Sequence, residues 1–160
     1  MNKIYLLLGS NMGNSKSQLN TAVKQVNKKI GKVIRHSHLY TTAAWGKTDQ
    51  PDFLNQVIIA ETKRSAIEIM QEILLIETAM GRIRTEKNAP RIIDIDILFF
   101  NKEIITADEL IIPHKEIPNR RFVLVPLNEL SPNFIHPVLQ KTIHQLLRDC
   151  VDKLPVALIP

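Results

Sequence analysis

Two aspartates interrupt the apolar run "RIIDIDILFF". Such a run predicts a strand, and side chains two residues apart in a strand lie on one face, with Cα atoms about 6.6 Å apart. Asp94 and Asp96 are therefore expected to point in one direction. Ile93, Ile95 and Ile97 are expected to point in the other, into the core. The pattern predicts a strand with one apolar face and one face that carries a carboxylate pair.

A carboxylate pair of this kind can bind a divalent cation. Carboxylates removed from water are costly unless they are paired, and two side by side repel each other. Mg²⁺ relieves both effects, because it takes one or two protein carboxylates together with waters and phosphate oxygens. The alternative is a solvated strand face, in which the aspartates only keep the strand soluble, since D-x-D alone is a weak motif.

Basic residues precede the pair. Arg82, Arg84, Lys87 and Arg91 fall within ten residues of one another. Cations beside a carboxylate pair suit a metal–polyphosphate complex, although a basic run by itself is commonly a solvated loop. The chain has no G-x-x-x-x-G-K-[ST] or G-x-G-x-x-G motif, and "GSNMGN" has too few glycines for either. The phosphate chemistry therefore belongs to neither the P-loop nor the dinucleotide-binding class.

Hydrophobic periodicity predicts the order β-α-β-β-α-β followed by a tail. A Ser65–Glu68 capping box starts the second helix, whose apolar side carries Ile69, Ile73 and Ile76. The predicted strands are 3–8, 32–42, 53–62 and 91–100, and the predicted helices are 15–30, 65–80, 119–130 (interrupted by Pro126) and 142–151. This order is that of the ferredoxin-like split βαβ motif. It predicts a single α+β domain over residues 1–160, with a mostly antiparallel sheet, helices on one face and a C-terminal helical extension.

The composition limits the partners and the compartment. The net charge of +5 suits an anionic partner, either nucleic acid or a small polyphosphate such as ATP, or else a merely soluble basic surface. Cys150 is the single cysteine, so no intrachain disulfide can form, which favours a reducing compartment. The apolar run Ile4–Leu8 is too short for a signal peptide or a membrane span. A soluble cytoplasmic protein is expected.

Five stretches, in the same order along the chain, resemble a known family. They are "GSNMGN", "TTAAWGKTDQPDFLN", "ETAMGRIR", "APRIIDIDILFF" and "IIPHKEIPNRRFVLVPLNELSP". They run from Gly9 to Pro132 and are similar to the 6-hydroxymethyl-7,8-dihydropterin pyrophosphokinases of folate biosynthesis. The resemblance implies a ferredoxin-like fold and transfer of the terminal pyrophosphoryl group of ATP to the pterin hydroxymethyl oxygen. It also implies AMP as the other product and two Mg²⁺ ions as cofactors.

Carried over position by position, the resemblance assigns residues to three groups. Asp94 and Asp96 are expected to bind the metal, while Arg82 and Arg91 face the phosphates and steady the transition state. The expected ATP-binding residues are Glu77, Arg84, Lys87, Ile97, His114 and Arg120. The expected pterin-binding residues are Thr42, Ala43, Trp45, Phe53, Asn55 and Phe122.

The expected roles agree with the chemistry of the ligands. A flat pterin needs aromatic faces, which Phe122 and either Trp45 or Phe53 can supply, although both phenylalanines could equally be core residues. Asn55 can fix the amide-like edge of the ring. No general base stands out, and Asp96 and a metal-bound water are the two candidates for the hydroxyl proton.

The chain departs from the family pattern beside the nucleotide. Many relatives carry Arg-Trp-Gly before the Pro-Arg pair, where this chain has a shorter loop with "KNA". Lys87 can supply the charge of the arginine but not its planar fork. Leu74 stands where other members have glutamine, and Lys115 stands where some have an aromatic residue. The polar segment 81–90 is predicted to be a mobile lid.

Two other functions compete with the enzyme hypothesis. A ferredoxin-like sheet with basic loops can bind RNA through aromatic residues exposed on its strands, but only 5% of the residues are aromatic and no RNP-like motif is present. A scaffold relative that has lost turnover is disfavoured because Asp94, Asp96, Arg82 and Arg91 are intact. The prediction is an enzyme that acts on small molecules as a monomer, with no nucleic acid, membrane or obligate protein partner.

Overall fold

The structure is a computed structural model that describes residues 1–43, 50–83 and 90–160. Within these ranges the strands are β1 (Asn2–Ser10), β2 (Lys32–His36), β3 (Leu39–Thr42), β4 (Phe53–Thr62), β5 (Asp94–Phe100), β6 (Ile105–Ala107), β7 (Leu110–Ile112) and β8 (Val156–Ile159). The helices are α1 (Ser15–Lys29), α2 (Ala66–Ala79), α3 (Arg121–Leu130) and α4 (Ile143–Asp149), with a 3-10 turn at Ile117–Asn119. No helix in the described ranges combines the length and the apolarity needed to cross a membrane.

The main sheet has the predicted ferredoxin-like arrangement. Strands β5, β1, β4 and β3 lie side by side, and every pairing among the described strands is antiparallel. Strands β2 and β3 both pair with β4, so together they occupy the position of one strand. The predicted α+β fold is confirmed. Strand β8, at the edge beside β3, is an addition that the sequence patterns did not indicate.

The prediction of a single strand over residues 32–42 is wrong in one respect, because the strand is interrupted at Ser37 and His38. The Ser37 hydroxyl accepts a hydrogen bond from the Val57 backbone N–H at 3.0 Å, and its carbonyl accepts one from the Gln56 side chain at 2.9 Å. These contacts replace part of the regular ladder and separate β2 from β3. The local sequence does not contain this information, because both partners lie on β4.

Apolar side chains form a core on each face of the sheet. On one face α1 and α2 pack against the sheet, and the predicted Ile69, Ile73 and Ile76 are all buried. On the other face α3 and α4 pack against Tyr5 and Phe99 together with their neighbours. The prediction of helices on one face therefore holds for α1 and α2, while the C-terminal helices cover part of the opposite face. Each buried aliphatic side chain contributes about 1.5–3 kcal/mol to folding.

The helix boundaries follow local signals in most places. The Ser65–Glu68 capping box is present, and the Asn14 side chain caps α1. Helix α3, in contrast, continues through Pro126, where an interruption was predicted. Proline removes one backbone hydrogen bond, but here it lies in the second turn of the helix and is buried in the core, so the helix persists.

The C-terminal end of α3 is fastened to β3 by Glu129. The Glu129 carboxylate accepts hydrogen bonds from the Tyr40 hydroxyl at 2.6 Å and from the backbone and ring of His38 at 2.9–3.2 Å. Burial alone would raise the pKa of Glu129, but these hydrogen bonds stabilise the charged form and lower the pKa below its usual value. Burial and the bond to Glu129 raise the pKa of Tyr40 to about 12.

We expect Glu129→Gln to lower the free energy of unfolding by about 1–2 kcal/mol at pH 7, because hydrogen bonds to a charged acceptor are lost. A lowered pKa in the folded state stabilises the protein above the unfolded value of 4.5, and this stabilisation disappears as the pH falls through the lowered pKa. Thermal denaturation from pH 8 down to pH 3 should therefore show the difference from wild type shrinking in acid. Glu72→Gln, at a surface pair, is the control. A difference that stays constant over this range would contradict the prediction.

Candidate active site

The carboxylate pair lies on β5 beside the C-terminal half of β1. In the antiparallel register Asp94 is opposite Gly9, and Asp96 is opposite Leu7. Directly opposed residues share a sheet face, so both carboxylates lie on the face that α3 also covers. Ile95 is buried on the opposite face. The predicted alternation along this strand is therefore observed.

A network of charges surrounds Asp94. Arg82 Nη1 donates to Asp94 Oδ1 at 2.7 Å and to Glu77 Oε2 at 2.8 Å, and Arg91 Nη1 donates to Asp94 Oδ2 at 3.2 Å. Glu77 is only 2% exposed, and its Oε2 also accepts from the backbone N–H of Ile95 at 2.8 Å. Glu77 therefore holds Arg82 and the start of β5 in place, a role that the sequence did not reveal.

Asp96 is a partly buried carboxylate in a strongly charged environment. Burial, with the negative charges of Asp94 and Glu77, raises the pKa of Asp96 to about 7, although Arg82 and Arg120 oppose the shift. A divalent cation beside the Asp96 carboxylate would offset both effects.

The residues present fit Mg²⁺. Within the described ranges no three His, Cys, Asp or Glu side chains are grouped as a complete protein cage for a metal. Mg²⁺ does not need such a cage, because one or two carboxylates suffice when phosphate oxygens and waters complete the octahedron. Asp94 and Asp96 meet that requirement, and the adjacent arginines suit the phosphates.

A first cleft, here called the aromatic cleft, opens above the carboxylate pair. Phe53 and Phe122 are half-buried in its wall, and Gly9 forms part of its floor. The residues that line it are Leu7, Gly9, Thr42, Ala43, Phe53, Asn55, Arg91, Asp94, Asp96, Leu98, His114, Arg120, Phe122 and Val123. All five of the predicted pterin-binding residues that the structure describes therefore lie together.

Asn55 gives the aromatic cleft an unsatisfied hydrogen-bonding group. The residue is 2% exposed, and its Nδ2 has no hydrogen-bond partner among the described residues. An unpaired buried amide costs about 1–3 kcal/mol, which a ligand with an acceptor at this position would recover. Gly9 leaves room for the Asn55 side chain and the Phe53 ring, because a Cβ at position 9 would lie 3.0 Å from Asn55 Oδ1 and 3.7 Å from the Phe53 ring.

A second cleft, here called the apolar cleft, lies between α2 and β7. Its apolar wall is formed by Met70, Ile73, Leu74, Ile95, Ile97, Leu110 and Ile111, and its polar residues are Glu77, Arg82, Asp94, Asp96, Asp108, Glu109, His114 and Lys115. The predicted nucleotide residues Glu77, Ile97 and His114 are thus in one place. Arg120 lines the aromatic cleft instead.

Asp94, Asp96 and His114 line both clefts. The two clefts therefore meet at the carboxylate pair. A ligand in the aromatic cleft and a second ligand in the apolar cleft would approach each other there, beside Arg82 on one side and Arg91 on the other. This junction is suited to the transfer of a charged group between two bound molecules.

His114 can present a proton at the junction. Its Nδ1 accepts a hydrogen bond from the Glu116 backbone N–H at 3.1 Å. Burial, followed by the charge of Arg120, lowers the pKa of His114 below its usual value. Because Nδ1 accepts that hydrogen bond, Nε2 is the nitrogen that carries a proton, and it can donate to a phosphate oxygen.

An arginine lies against each phenylalanine of the aromatic cleft. The Arg91 guanidinium is 5.6 Å from the centre of the Phe53 ring, and that of Arg120 is 5.9 Å from the centre of the Phe122 ring. These cation–π contacts link the aromatic walls to the charged junction. Arg91 is the more central of the two, because it also contacts Asp94.

Asn11 joins three segments of the site, and the sequence did not identify it. It is 2% exposed, and its Oδ1 accepts from the Arg91 backbone N–H at 2.9 Å. Its Nδ2 donates to the Gln50 side chain at 2.9 Å and to the Pro51 carbonyl at 3.2 Å. A polar residue within "GSNMGN" gives no hint of such distant partners.

Some predicted site residues lie outside the described residues. They are Trp45, Arg84 and Lys87, together with most of the predicted lid at 81–90.

Residues 5–132 match the family model described as 7,8-dihydro-6-hydroxymethylpterin-pyrophosphokinase (HPPK). The chain belongs to this family. The prediction of the HPPK family and of its enzyme class, a pyrophosphokinase, is thereby confirmed. The match covers the carboxylate pair, both clefts and α3.

Individual HPPK relatives agree with this assignment. The chain is 35% identical over 162 residues to the 2-amino-4-hydroxy-6-hydroxymethyldihydropteridine pyrophosphokinase of Haemophilus influenzae, covering 98% of each protein. It is 42% identical over 156 residues to the folic acid synthesis protein fol1 of Schizosaccharomyces pombe. That alignment covers 96% of this chain and 21% of fol1, so the chain spans about a fifth of the length of such fungal relatives.

A solved structure supports the HPPK fold. The Plasmodium falciparum HPPK-DHPS A437G crystal structure with STZ-DHP superposes with a TM-score of 0.76 at 22% identity. The alignment covers 92% of this chain and 45% of the Plasmodium chain. At this level of identity the likeness bears on the fold alone, and it agrees with the antiparallel sheet and packed helices described above.

Proposed function

We propose that this chain transfers the terminal pyrophosphoryl group of ATP to the hydroxymethyl oxygen of 6-hydroxymethyl-7,8-dihydropterin. The substrate oxygen forms a bond to the β-phosphorus, the bond between that phosphorus and the oxygen bridging to the α-phosphate breaks, AMP leaves and the hydroxyl proton is released. The meeting of the two clefts at Asp94, Asp96 and His114 is the observation that carries the proposal. Membership of the HPPK family supports the same chemistry.

The aromatic cleft is the proposed pterin site. Phe53 and Phe122 offer ring faces to a flat heterocycle, and the unpaired Nδ2 of Asn55 offers a donor to its polar edge. Thr42 and Ala43 complete the wall. Trp45, outside the described residues, is proposed as a further pterin-binding residue. The pterin hydroxymethyl group would then point towards Asp96, where the two clefts meet.

The apolar cleft is the proposed nucleotide site. Its aliphatic wall, which includes Leu74 and Ile97, suits the face of a purine, and Arg82 and His114 stand where the phosphates would follow. Arg84, Lys87 and Arg120 are proposed as further phosphate contacts. Glu77 acts through Arg82, because its carboxylate is occupied by that guanidinium and by the backbone of β5.

Asp94 and Asp96 are the residues that would hold Mg²⁺, and two ions are proposed. When bound, Mg²⁺ neutralises the charge of the triphosphate and of the group in transfer. Arg82 and Arg91 both contact Asp94, which places their guanidinium groups at the junction of the clefts. Catalysis then rests on alignment and on charge neutralisation, with no covalent intermediate on the protein.

We propose that residues 1–160 act as one catalytic domain on small molecules without an obligate partner. An RNA-binding sheet would need exposed aromatic residues on its strands. On the face of the sheet that carries Asp94 and Asp96, Tyr5, Tyr40 and Phe99 are at most 6% exposed, and Phe53 is half-buried in the wall of the aromatic cleft. This covering favours the enzyme over the RNA-binding module.

The activity is tested by measuring AMP release from ATP with hydroxymethyl-dihydropterin, with and without Mg²⁺. We expect AMP formation that requires all three components, together with a pterin diphosphate of matching amount. Hydrolysis of ATP without a pterin product, or transfer that is unchanged after Mg²⁺ is chelated, would contradict the proposal.

We expect Phe122→Ala to weaken the binding of hydroxymethyl-dihydropterin by about 1–3 kcal/mol, the loss typical of one aromatic face stacked on a heterocycle. Isothermal calorimetry measures the pterin dissociation constant directly. Phe134→Leu is the matched control, because Phe134 packs against Tyr5 and Phe99 in the core beneath α3 and does not line the cleft. An unchanged pterin affinity in Phe122→Ala would place that ring in the core instead.

A further inference from the structure

Helix α3 begins at the wall of the aromatic cleft but has no cap of its own. Arg120 occupies the cap position and makes no side-chain capping hydrogen bond, and Arg121 is the first helical residue. Arg120 and Phe122, on either side of Arg121, both line the cleft. The orientation of the first turn of α3 therefore sets the position of both side chains.

The missing cap comes from the C-terminal segment of the chain. Asp152 Oδ2 accepts a hydrogen bond from the backbone N–H of Arg121 at 2.9 Å. Asp152 Oδ1 accepts from the backbone N–H of Leu154 at 3.0 Å, which fixes the carboxylate in this orientation. A carboxylate at a helix N-terminus satisfies an otherwise unpaired donor and interacts favourably with the helix dipole.

The same segment also contacts another part of the cleft wall. The Thr42 hydroxyl donates to the Pro155 carbonyl at 3.3 Å, and β8 pairs with β3 so that Val156 is opposite Thr42. Thr42 lines the aromatic cleft. Residues 152–159, here called the C-terminal strap, therefore connect two walls of the cleft, α3 and β3, from outside it.

The strap lies beyond residues 5–132, the part of the chain that matches the HPPK family model. Its strand β8 has no counterpart in the predicted βαββαβ order, and its residues are half-buried or exposed.

We propose that Asp152 is a positioning residue for the aromatic cleft: it caps α3 and so places Phe122 for the bound pterin. Asp152 does not line either cleft and has no contact with the reacting groups. Without its carboxylate the first turn of α3 loses a hydrogen bond and frays, and the Phe122 ring loses its fixed position. The identity of the ligand as a pterin rests on the proposed function.

The test compares Asp152→Ala with Asp149→Ala in the full chain. Asp149 is an exposed aspartate three positions earlier, and among the described residues it pairs only with the surface cations Arg148 and Lys141. Asp149→Ala therefore removes the same charge as Asp152→Ala. Calorimetry measures the affinity for hydroxymethyl-dihydropterin and for a non-hydrolysable ATP analogue, and steady-state AMP release gives kcat and KM for each substrate.

We expect Asp152→Ala to raise the pterin dissociation constant and KM about tenfold, equivalent to ~1.4 kcal/mol and within the range for loss of a helix cap. The loss of affinity for the ATP analogue should be smaller, and Asp149→Ala should bind both ligands as tightly as wild type. Asp152→Asn keeps one acceptor oxygen and should fall between wild type and Asp152→Ala; it also serves as the test if the alanine variant fails to fold.

Two results would overturn the proposal. One is a pterin affinity in the folded Asp152 variants equal to that of wild type. The other is an equal loss for pterin and for the ATP analogue, which would indicate general destabilisation. A wild-type chain that neither binds pterin nor releases AMP would instead refute the proposed function, so the two failures are distinguishable.

Discussion

Asp94→Asn and Asp96→Asn should each reduce AMP release by about a thousandfold or more, while the protein stays folded. Each variant removes one of the two charges that would hold Mg²⁺ at the junction of the clefts, and metal-based charge stabilisation is worth several kcal/mol, at 1.36 kcal/mol for each factor of ten. The carboxamide has nearly the same shape, so the packing of β5 is retained. Steady-state turnover, with circular dichroism to verify the fold, measures the effect.

Asp149→Asn is the control for these two variants, because it removes the same charge at an exposed position of α4 away from both clefts. It should retain full turnover. The Mg²⁺ dependence should also change, with a weaker apparent affinity for Mg²⁺ in both active-site variants. Normal activity in Asp94→Asn and Asp96→Asn would mean that the carboxylate pair is only a polar strand face.

Arg82 and Arg91 should both be needed for turnover, but only Arg82 for stability. Arginines that stabilise a phosphoryl transition state are worth about 10³–10⁵ in kcat, so either alanine variant should fall by at least about a thousandfold. Arg82→Ala also removes the guanidinium that lies 2.8 Å from the Glu77 carboxylate, which is only 2% exposed, and breaking such a buried pair costs about 3–5 kcal/mol. Arg91 is paired with the partly exposed Asp94, so its removal should cost much less stability.

The measurements are kcat from AMP release and the midpoint of urea denaturation. Lysine should restore charge but not the forked geometry, so Arg91→Lys should recover only part of the lost turnover. Arg148→Ala, at an exposed pair on α4, should change neither property. If Arg82→Ala were as stable as wild type, Glu77 would not depend on Arg82, and the account of that buried pair would be wrong.

Local patterns in the sequence were sufficient for much of the fold. The alternation of Asp94 and Asp96 with isoleucines located β5 and its polar face, and the capping box at Ser65 located the start of α2. These signals depend only on near neighbours and on the period of the strand or helix. The family resemblance then grouped the residues of each cleft.

Features that depend on distant partners were not predictable. The break at Ser37 requires Gln56 and Val57 on another strand, and the packing of α3 across the second face depends on Tyr5 and Phe99. Strand β8 is short and forms only because the edge of β3 is available. No periodicity in a single sequence encodes such pairings.

Prediction of the site residues from the sequence had the same limit. The residue types of the metal ligands and arginines were informative by themselves, because carboxylates and guanidinium groups beside each other suit a metal–phosphate complex. The residues that hold them were not recognisable. Glu77 acts through Arg82, Asn11 through the backbone of Arg91, and Asp152 through the backbone of Arg121, and each contact depends on the folded arrangement of the chain.

The most direct test of the central claim is a crystal structure with hydroxymethyl-dihydropterin, a non-hydrolysable ATP analogue and Mn²⁺ in place of Mg²⁺, with the ion located by anomalous scattering. We predict an ion bound to oxygens of both Asp94 and Asp96 and to the phosphate chain, at about 2–2.2 Å, with the pterin between Phe53 and Phe122. An ion that contacts neither aspartate, or a triphosphate that lies away from the junction of the two clefts, would contradict the account.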